Sequence, residues 1–377
     1  MGPLEQHLAA KLQEREREGN LRSLSSQKLA TDFFSNDYLG LVTTGLLQAY
    51  MDNEPCSEAT PGSTGSRLLS GNNTRVEALE QTIAKFHGAE GALLFNSGYT
   101  ANIGLITAIA NRETTILYDE LCHASIIDGI RLAITTKKYK FPHNDLGSLS
   151  DKLAKHKGSG PMLVIVESVY SMDGDEAPLP KMVALCQQYH AQLVVDEAHA
   201  TGVVGNKGEG LVCALGLQNK VFARVHTFGK AMGCHGAAVV GSGLLKQYLI
   251  NFSRPFIYTT ALPGHAVQAI QCAYTYLSSP GFSNKSLHGL ISYFRQKIAF
   301  SNNPNWLDST SPIQAFVIGD NLKSKAIAAS LQATGLQVKA ILYPTVPLGK
   351  ERLRVCLHSF NTKAEVDRLF DIVESGG

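Results

Sequence analysis

The chain has 377 residues, 44% hydrophobic and 18% charged, with a formal net charge of +2 and a pI near 8.1. That length exceeds one ordinary core and accommodates a large domain with a smaller one. The near-neutral balance leaves no electrostatic footprint for nucleic acid, and no apolar run approaches the roughly 20 residues of a membrane-spanning helix.

Residues 3 to 19 place Leu4, Leu8 and Leu12 among alternating Glu and Arg, the spacing of an amphipathic helix. This charged start is the opposite of an apolar signal segment, so the expected location is the cytoplasm. From about 74 to 275, helical stretches alternate with short apolar runs: ALLF at 92, TTILY at 114, MLVIV at 162, QLVVD at 192, VFARV at 221 and GAAVV at 236. That rhythm predicts an α/β unit with a mainly parallel sheet. Helical patterns follow Pro263 up to about 300. Then IQAFVIG at 313, GLQVKAI at 335 and RLRVCL at 352 alternate with helices over 321–334 and 362–374, the make-up of a smaller α+β unit. The expected division is 1–45, 46–275 and 276–377. The seven cysteines (56, 122, 186, 213, 234, 272 and 356) are scattered without any C-x-x-C pair. They predict buried free thiols, with neither a disulfide framework nor a metal site.

The chemistry gathers at LVVDEAHATG (193–202) and HTFGKAMG (226–233). An apolar run ending in an acid is a buried parallel strand whose C-terminal end opens into a site. DEAH also ends a helicase-type ATPase motif, which requires a phosphate loop G-x-x-x-x-G-K-[ST] elsewhere. The two Gly-Lys pairs, at 229–230 and 349–350, lack both the following Ser or Thr and the earlier glycine, where Arg224 and Pro344 stand. The ATPase reading fails on that count. A dinucleotide site lacks its G-x-G-x-x-G after the first strand of the α/β region.

Pyridoxal phosphate uses the whole set. It requires a lysine for a Schiff base, a carboxylate for the pyridine nitrogen, a partner for the ring oxygen and a phosphate cup. Lys230 sits among small residues, with Thr227 three positions before it. Asp196 ends the preceding strand, and His199 follows three residues later. FNSGYTAN (95–102) reads as strand, glycine turn and helix start, aiming the Gly98 and Tyr99 amides at an anion. His123 and Ser171 follow the ends of two further strands. Each match alone has a bland alternative: a surface lysine, a capping acid, a structural histidine or a turn serine. Their convergence on one sheet edge is what favours the cofactor.

The motifs SNDYLGL (35–41), GSTGSRLLSGNN (62–73), FNSGYTAN, HAS (123–125), SVYSMDGD (168–175), VVDEAHATG, TFGKAMG, FIYTTALP (256–263) and PTVPLGKERLRV (344–355) run along nearly the whole chain. In that order they resemble the α-oxoamine synthases. The resemblance implies a fold-type I pyridoxal-phosphate transferase, with a large α/β/α domain on a mainly parallel sheet and a smaller α+β domain. It makes Lys230 the Schiff-base lysine and Cα base, Asp196 the pyridine-nitrogen partner and His123 the ring-stacking residue. Ser171 and His199 lie near the ring oxygen, Thr227, Gly98 and Tyr99 on the phosphate side. Thr260 reaches the phosphate of a neighbouring subunit in a homodimer with shared sites. Asn36 and Arg354 hold the amino-acid carboxylate; Arg22 and Thr345 contact the acyl substrate or product.

Within the family, GSTGSRLLSG, His143-Asn144-Asp145 and Pro344-Thr345-Val346-Pro347 most resemble the branch at the entry of the biotin-ring pathway. That branch condenses L-alanine with a pimeloyl thioester carried on CoA or an acyl carrier protein. The alternatives are a relative using glycine and acetyl-CoA, or a member that binds the cofactor without catalysis. Three departures from the family pattern stand out: a short segment after Arg22, Thr64 in place of a common glycine, and Cys234-His235 after the lysine loop.

Overall fold

The computed structural model describes residues 1–24, 26, 29–54 and 60–376; Cys56 lies outside them. In chain order its strands are β1 (Thr31–Asp32), β2 (Gly91–Phe95), β3 (Thr115–Asp119), β4 (Lys138–Phe141), β5 (Met162–Glu167), β6 (Gln192–Asp196), β7 (Ala223–Thr227), β8 (Ala237–Gly241), β9 (Ile313–Val317), β10 (Leu336–Gln337), β11 (Lys339–Ile341) and β12 (Arg352–Cys356). Two compact units emerge. One comprises Met1–Ser35, Met172–Asp175 and Lys285–Gly377; the other comprises Asn36–Ser171 and Glu176–Asn284.

The second unit is built on a seven-stranded sheet ordered β2-β8-β7-β6-β5-β3-β4. The pairs from β7 through β4 are parallel, whereas β8 runs antiparallel to both β2 and β7. Both faces of this sheet are covered. Leu163, Ile165, Val194 and Val225 enter one apolar cluster, while Val164, Val166, Leu193 and Val195 enter another. Strict alternation between two cores is why MLVIV and LVVD read as unbroken apolar runs rather than half-polar strands. Strand β4, KYKF, was not anticipated. Tyr139 and Lys140 are exposed and only Phe141 is buried, as suits a strand at the sheet edge, where lysine discourages further pairing.

The first unit opens with a helix over Pro3–Arg17. Its leucine stripe forms as expected, yet Leu4, Leu8 and Leu12 remain 71%, 55% and 59% exposed. Strand β1 pairs in parallel with β10, and β11-β12-β9 form an antiparallel sheet. The segment GLQVKAI, expected as one strand, is divided between β10 and β11. Helices Lys285–Ser301, Asn321–Ala333 and Lys363–Gly376 complete this α+β layer. Its aromatic centre is Trp306, 5.1 Å from Phe294 and 4.9 Å from Phe316 between ring centroids. The indole Nε1 donates to Glu374 Oε1 at 2.8 Å, which supplies the polar partner a buried tryptophan requires. Met172–Asp175 joins this unit through an Asp173–Arg352 ion pair and through Ser309 Oγ, which donates to the Gly174 carbonyl at 2.9 Å.

Among the described residues, Cys122, Cys186, Cys234, Cys272 and Cys356 are buried and Cys213 is half-buried, all as free thiols. No group of potential metal ligands occurs among those residues, and no helix is long and apolar enough to cross a membrane.

Candidate active site

Parallel strands bring the ends of β5, β6 and β7 side by side, and there Glu167, Asp196 and Thr227 are the last residues. A cavity of about 250 Å³ opens at this edge; its wall includes Asn36, Gly98, Tyr99, His123, Asp196, Thr227 and Lys230. Seven residues chosen from sequence thus meet in one space, where open α/β sheets bind ligands.

Each is placed by a local device. The helix Gly98–Ile109 begins at Ser97, whose side chain accepts from the Thr100 amide and closes a capping box. Its free first-turn amides and positive dipole end therefore face the cavity. Gly98 is required there, because an added Cβ would overlap the Thr227 methyl. The Thr227 Oγ1 is buried and has no hydrogen-bond partner among the described residues. Buried hydroxyls are costly to leave unpaired, so this one is built to meet a ligand at a helix N-terminus, the setting that suits phosphate.

Asp196 is 4% exposed. Its Oδ1 accepts from the Ala198 amide at 2.9 Å and its Oδ2 from Asn102 Nδ2 at 2.7 Å. His123 is the N-cap of the helix Ala124–Leu132, and its Nδ1 accepts from the Ser125 amide. Burial pushes this imidazole below its ordinary pKa; Asp196 opposes the shift and Lys230 adds to it. Lys230 lies on the loop after β7, its carbonyl accepting from the Gly233 amide at 2.8 Å.

His199 and Ser171 are buried beside this region rather than on the cavity wall. His199 Nδ1 is 2.8 Å from the Tyr38 hydroxyl, which in turn donates to Asn36 Oδ1 at 3.0 Å. Thr260 is exposed, and its carbonyl accepts from Asn96 Nδ2 at 2.9 Å. The remaining three belong to the first unit. Arg22 Nη2 donates to Thr345 Oγ1 at 3.1 Å, joining residues 323 positions apart. Arg354 is buried on β12 and donates to Cys356 Sγ.

Sequence reasoning missed Glu167, Asn102, Ser125 and Tyr38. Glu167 ends its apolar run as Asp196 ends the next, and the two stand in register; that shared pattern was the available signal. The others lie inside quoted motifs, but only three-dimensional contact gives them a role. Glu167 is 2% exposed, and its Oε1 accepts from the His123 amide at 2.5 Å. Burial, reinforced by the Asp196 charge and opposed by Lys230, raises its pKa from 4.5 to about 8.

A carboxyl whose pKa is higher in the folded chain retains its proton there after the unfolded chain has lost it. Stability therefore falls as pH rises from about 4.5 to about 8. Glu167→Gln keeps the carbonyl oxygen that receives the His123 amide but removes the titration. Urea unfolding at three pH values across this window should show the variant gaining stability relative to the parent as pH rises. Parallel curves would exclude this source of pH dependence.

The class I and II aminotransferase model matches residues 30–373. An 8-amino-7-oxononanoate synthase from Emericella nidulans is 42% identical over 369 residues, covering 91% of this chain and 88% of that protein. The chain belongs to the α-oxoamine synthases of the class I and II aminotransferase family. Solved relatives agree with the fold. A serine palmitoyltransferase from S. paucimobilis with bound PLP superposes with a TM-score of 0.90 at 25% identity, over 100% of this chain and 98% of that one. An 8-amino-7-oxononanoate synthase from Francisella tularensis gives 0.75 at 27% identity, over 92% and 97%. The mixed, mostly parallel sheet is the fold-type I arrangement expected from the motifs.

Proposed function

We propose that this α-oxoamine synthase condenses L-alanine with a pimeloyl thioester, giving 8-amino-7-oxononanoate, CO₂ and free thiol, the reaction of the biotin pathway. The observation that carries the cofactor assignment is the unpartnered Thr227 hydroxyl beside Gly98 at a helix N-terminus, in the same cavity as Asp196 and Lys230. These residues fit pyridoxal phosphate. Thr227, Gly98 and Tyr99 would hold its phosphate, Asp196 its pyridine nitrogen, His199 and Ser171 its ring oxygen, His123 its face and Lys230 its aldehyde carbon. When bound, the cofactor supplies an electron sink for the carbanion formed at the substrate Cα.

The chain's own groups do the rest. Lys230 Nζ removes the Cα proton and later returns one. The negative charge of Asp196 favours a protonated ring nitrogen. His123, whose imidazole is held below its ordinary pKa, presents a nitrogen-bound proton to the thioester oxygen as negative charge develops there. Asn36 and Arg354 receive the alanine carboxylate, the arginine through its two-pronged guanidinium. Arg22 and Thr345, already joined to each other, contact the acyl chain. In this reading the protein works in the cytoplasm as a homodimer, the exposed Thr260 of one copy reaching the phosphate of the other. The cofactor is carried by the unit Asn36–Ser171 and Glu176–Asn284, which, apart from Met172–Asp175, contains the large domain expected over 46–275.

Supplying the cofactor-loaded protein with L-alanine and pimeloyl-CoA should release CO₂ and thiol in equal amounts. A second arm with the same acyl group on a carrier protein distinguishes the carriers. Activity confined to glycine and acetyl-CoA would overturn the substrate assignment, and the absence of α-proton exchange on any small amino acid would overturn catalysis.

A further inference from the structure

Asp196 and His123 are connected through a chain of hydrogen bonds, buried at its Asp196 end, that neither the motifs nor the reaction requires. Asn102, on the second turn of the helix Gly98–Ile109, donates through Nδ2 to Asp196 Oδ2 at 2.7 Å and to Ser125 Oγ at 3.0 Å. Ser125 Oγ lies 2.7 Å from His123 Nδ1, and the Ser125 amide donates to that same nitrogen at 3.2 Å. Asn102 and Ser125 are 2% and 1% exposed, so water does not substitute readily for the two links that Asn102 makes.

Counting hydrogens along this chain decides the state of the imidazole. The Asn102 amide has two hydrogens, one for the Asp196 carboxylate and one for Ser125 Oγ. Ser125 Oγ accepts that hydrogen and, with a second lone pair and its own hydrogen, can face His123 Nδ1 as donor or acceptor. The Ser125 backbone amide can only donate, and it too faces Nδ1. A hydrogen on Nδ1 would collide with that amide hydrogen, so this nitrogen presents its lone pair, the Ser125 hydroxyl turns its hydrogen toward it, and the neutral ring carries its own on Nε2.

We propose that Asn102 and Ser125 are positioning residues that hold His123 in its Nε2–H form and tie that choice to the Asp196 carboxylate. This rests on the reading that His123 faces the reacting thioester. The relay leaves the donor nitrogen as the one not engaged by the helix cap. It also explains why a capping histidine, rather than the commoner Ser or Asp, begins the helix Ala124–Leu132: the cap itself sets the tautomer. A purely structural role would require these side chains only to fill space.

Nitrogen-15 spectra of the histidine rings in the cofactor-loaded full chain test this directly, with the His123 signals assigned by their loss in His123→Phe. Between about pH 6.5 and 8, His123 Nδ1 should resonate as an unprotonated nitrogen and Nε2 as a protonated one. In Ser125→Ala both signals should move toward the average of mixed tautomers. The kcat should fall about tenfold while KM for the amino acid changes less than about threefold. Asn102→Ala should move the signals the same way. A protonated Nδ1 in the parent protein overturns the proposal, as does a Ser125→Ala variant with parental shifts and parental kcat. Failure of the cofactor reading appears separately, as a borohydride-trapped label on a lysine other than Lys230, whichever tautomer is found.

Discussion

Lys230→Ala should lower turnover by about 10⁴-fold or more, because in the proposed reading one side chain both anchors the cofactor and moves the Cα proton, and proton transfer alone contributes about 10² to 10⁴-fold. The loss should be chemical rather than structural. The loop around Lys230 is closed by backbone hydrogen bonds, the Gly233 amide to the Lys230 carbonyl at 2.8 Å and the Cys234 amide to the Phe228 carbonyl at 2.7 Å. Neither involves the lysine side chain. Phe228, Ala231 and Met232 are buried on either side, so the loop keeps its packing after truncation. Three measurements separate the outcomes. Borohydride reduction followed by peptide mapping should find no cofactor-modified lysine, the absorbance of covalently bound cofactor should disappear, and the thermal midpoint of cofactor-free protein should stay close to that of the parent. Covalent label at another lysine would refute the assignment.

Asp196→Asn should cost about 10²-fold or more in kcat, with a smaller loss of stability. The buried carboxylate accepts two hydrogen bonds, from the Ala198 amide and from Asn102 Nδ2. An asparagine can satisfy one with its carbonyl oxygen, but its amide nitrogen would then meet another donor. One buried donor is left unpaired, at about 1–3 kcal/mol. Asn102 cannot relieve this by turning over, because its second hydrogen is committed to Ser125 Oγ. The larger effect is electrostatic. In the proposed reading Asp196 would favour a proton on the pyridine nitrogen of the bound cofactor, and losing its charge would weaken the electron sink the cofactor supplies. Glu167 is in register on the next strand, but its burial, which persists when the Asp196 charge is gone, still disfavours its charged form, so it is a poor replacement. The α-proton exchange rate with L-alanine reads the chemical loss, and urea unfolding reads the structural one. Exchange at the parental rate would remove Asp196 from the ring nitrogen.

Periodicity and motif order carried far in this protein because the sheet is buried on both faces. Such strands appear as unbroken apolar runs, and an acid or hydroxyl at the end of a run marks the sheet edge where a ligand binds. Asp196 and Thr227, the last residues of their strands, were legible on that ground, Lys230 through its small neighbours three positions after Thr227, and Gly98 and Tyr99 through the glycine turn that begins a helix; all five line the cavity. Edge strand β4 escaped because its exposed Tyr139 and Lys140 give it no apolar run. The pairing of β1 with β10 escaped because two residues each, 305 positions apart, leave no periodic signal.

Tertiary contact decided the roles that depend on the surroundings of a group rather than on its type. Glu167 looks like any strand-end carboxylate until the fold encloses it beside Asp196, where the cost of a second buried charge pushes its proton affinity up. Asn102 and Ser125 are ordinary helix residues in one dimension; 23 positions apart, they become neighbours only when two helices pack at the sheet edge. Residue identity and spacing determined which chemistry is present, since a glycine turn, an acid and a lysine in this order suit one cofactor. Packing determined the protonation and orientation of those groups, because desolvation and hydrogen-bond partners are set by atoms far away along the chain.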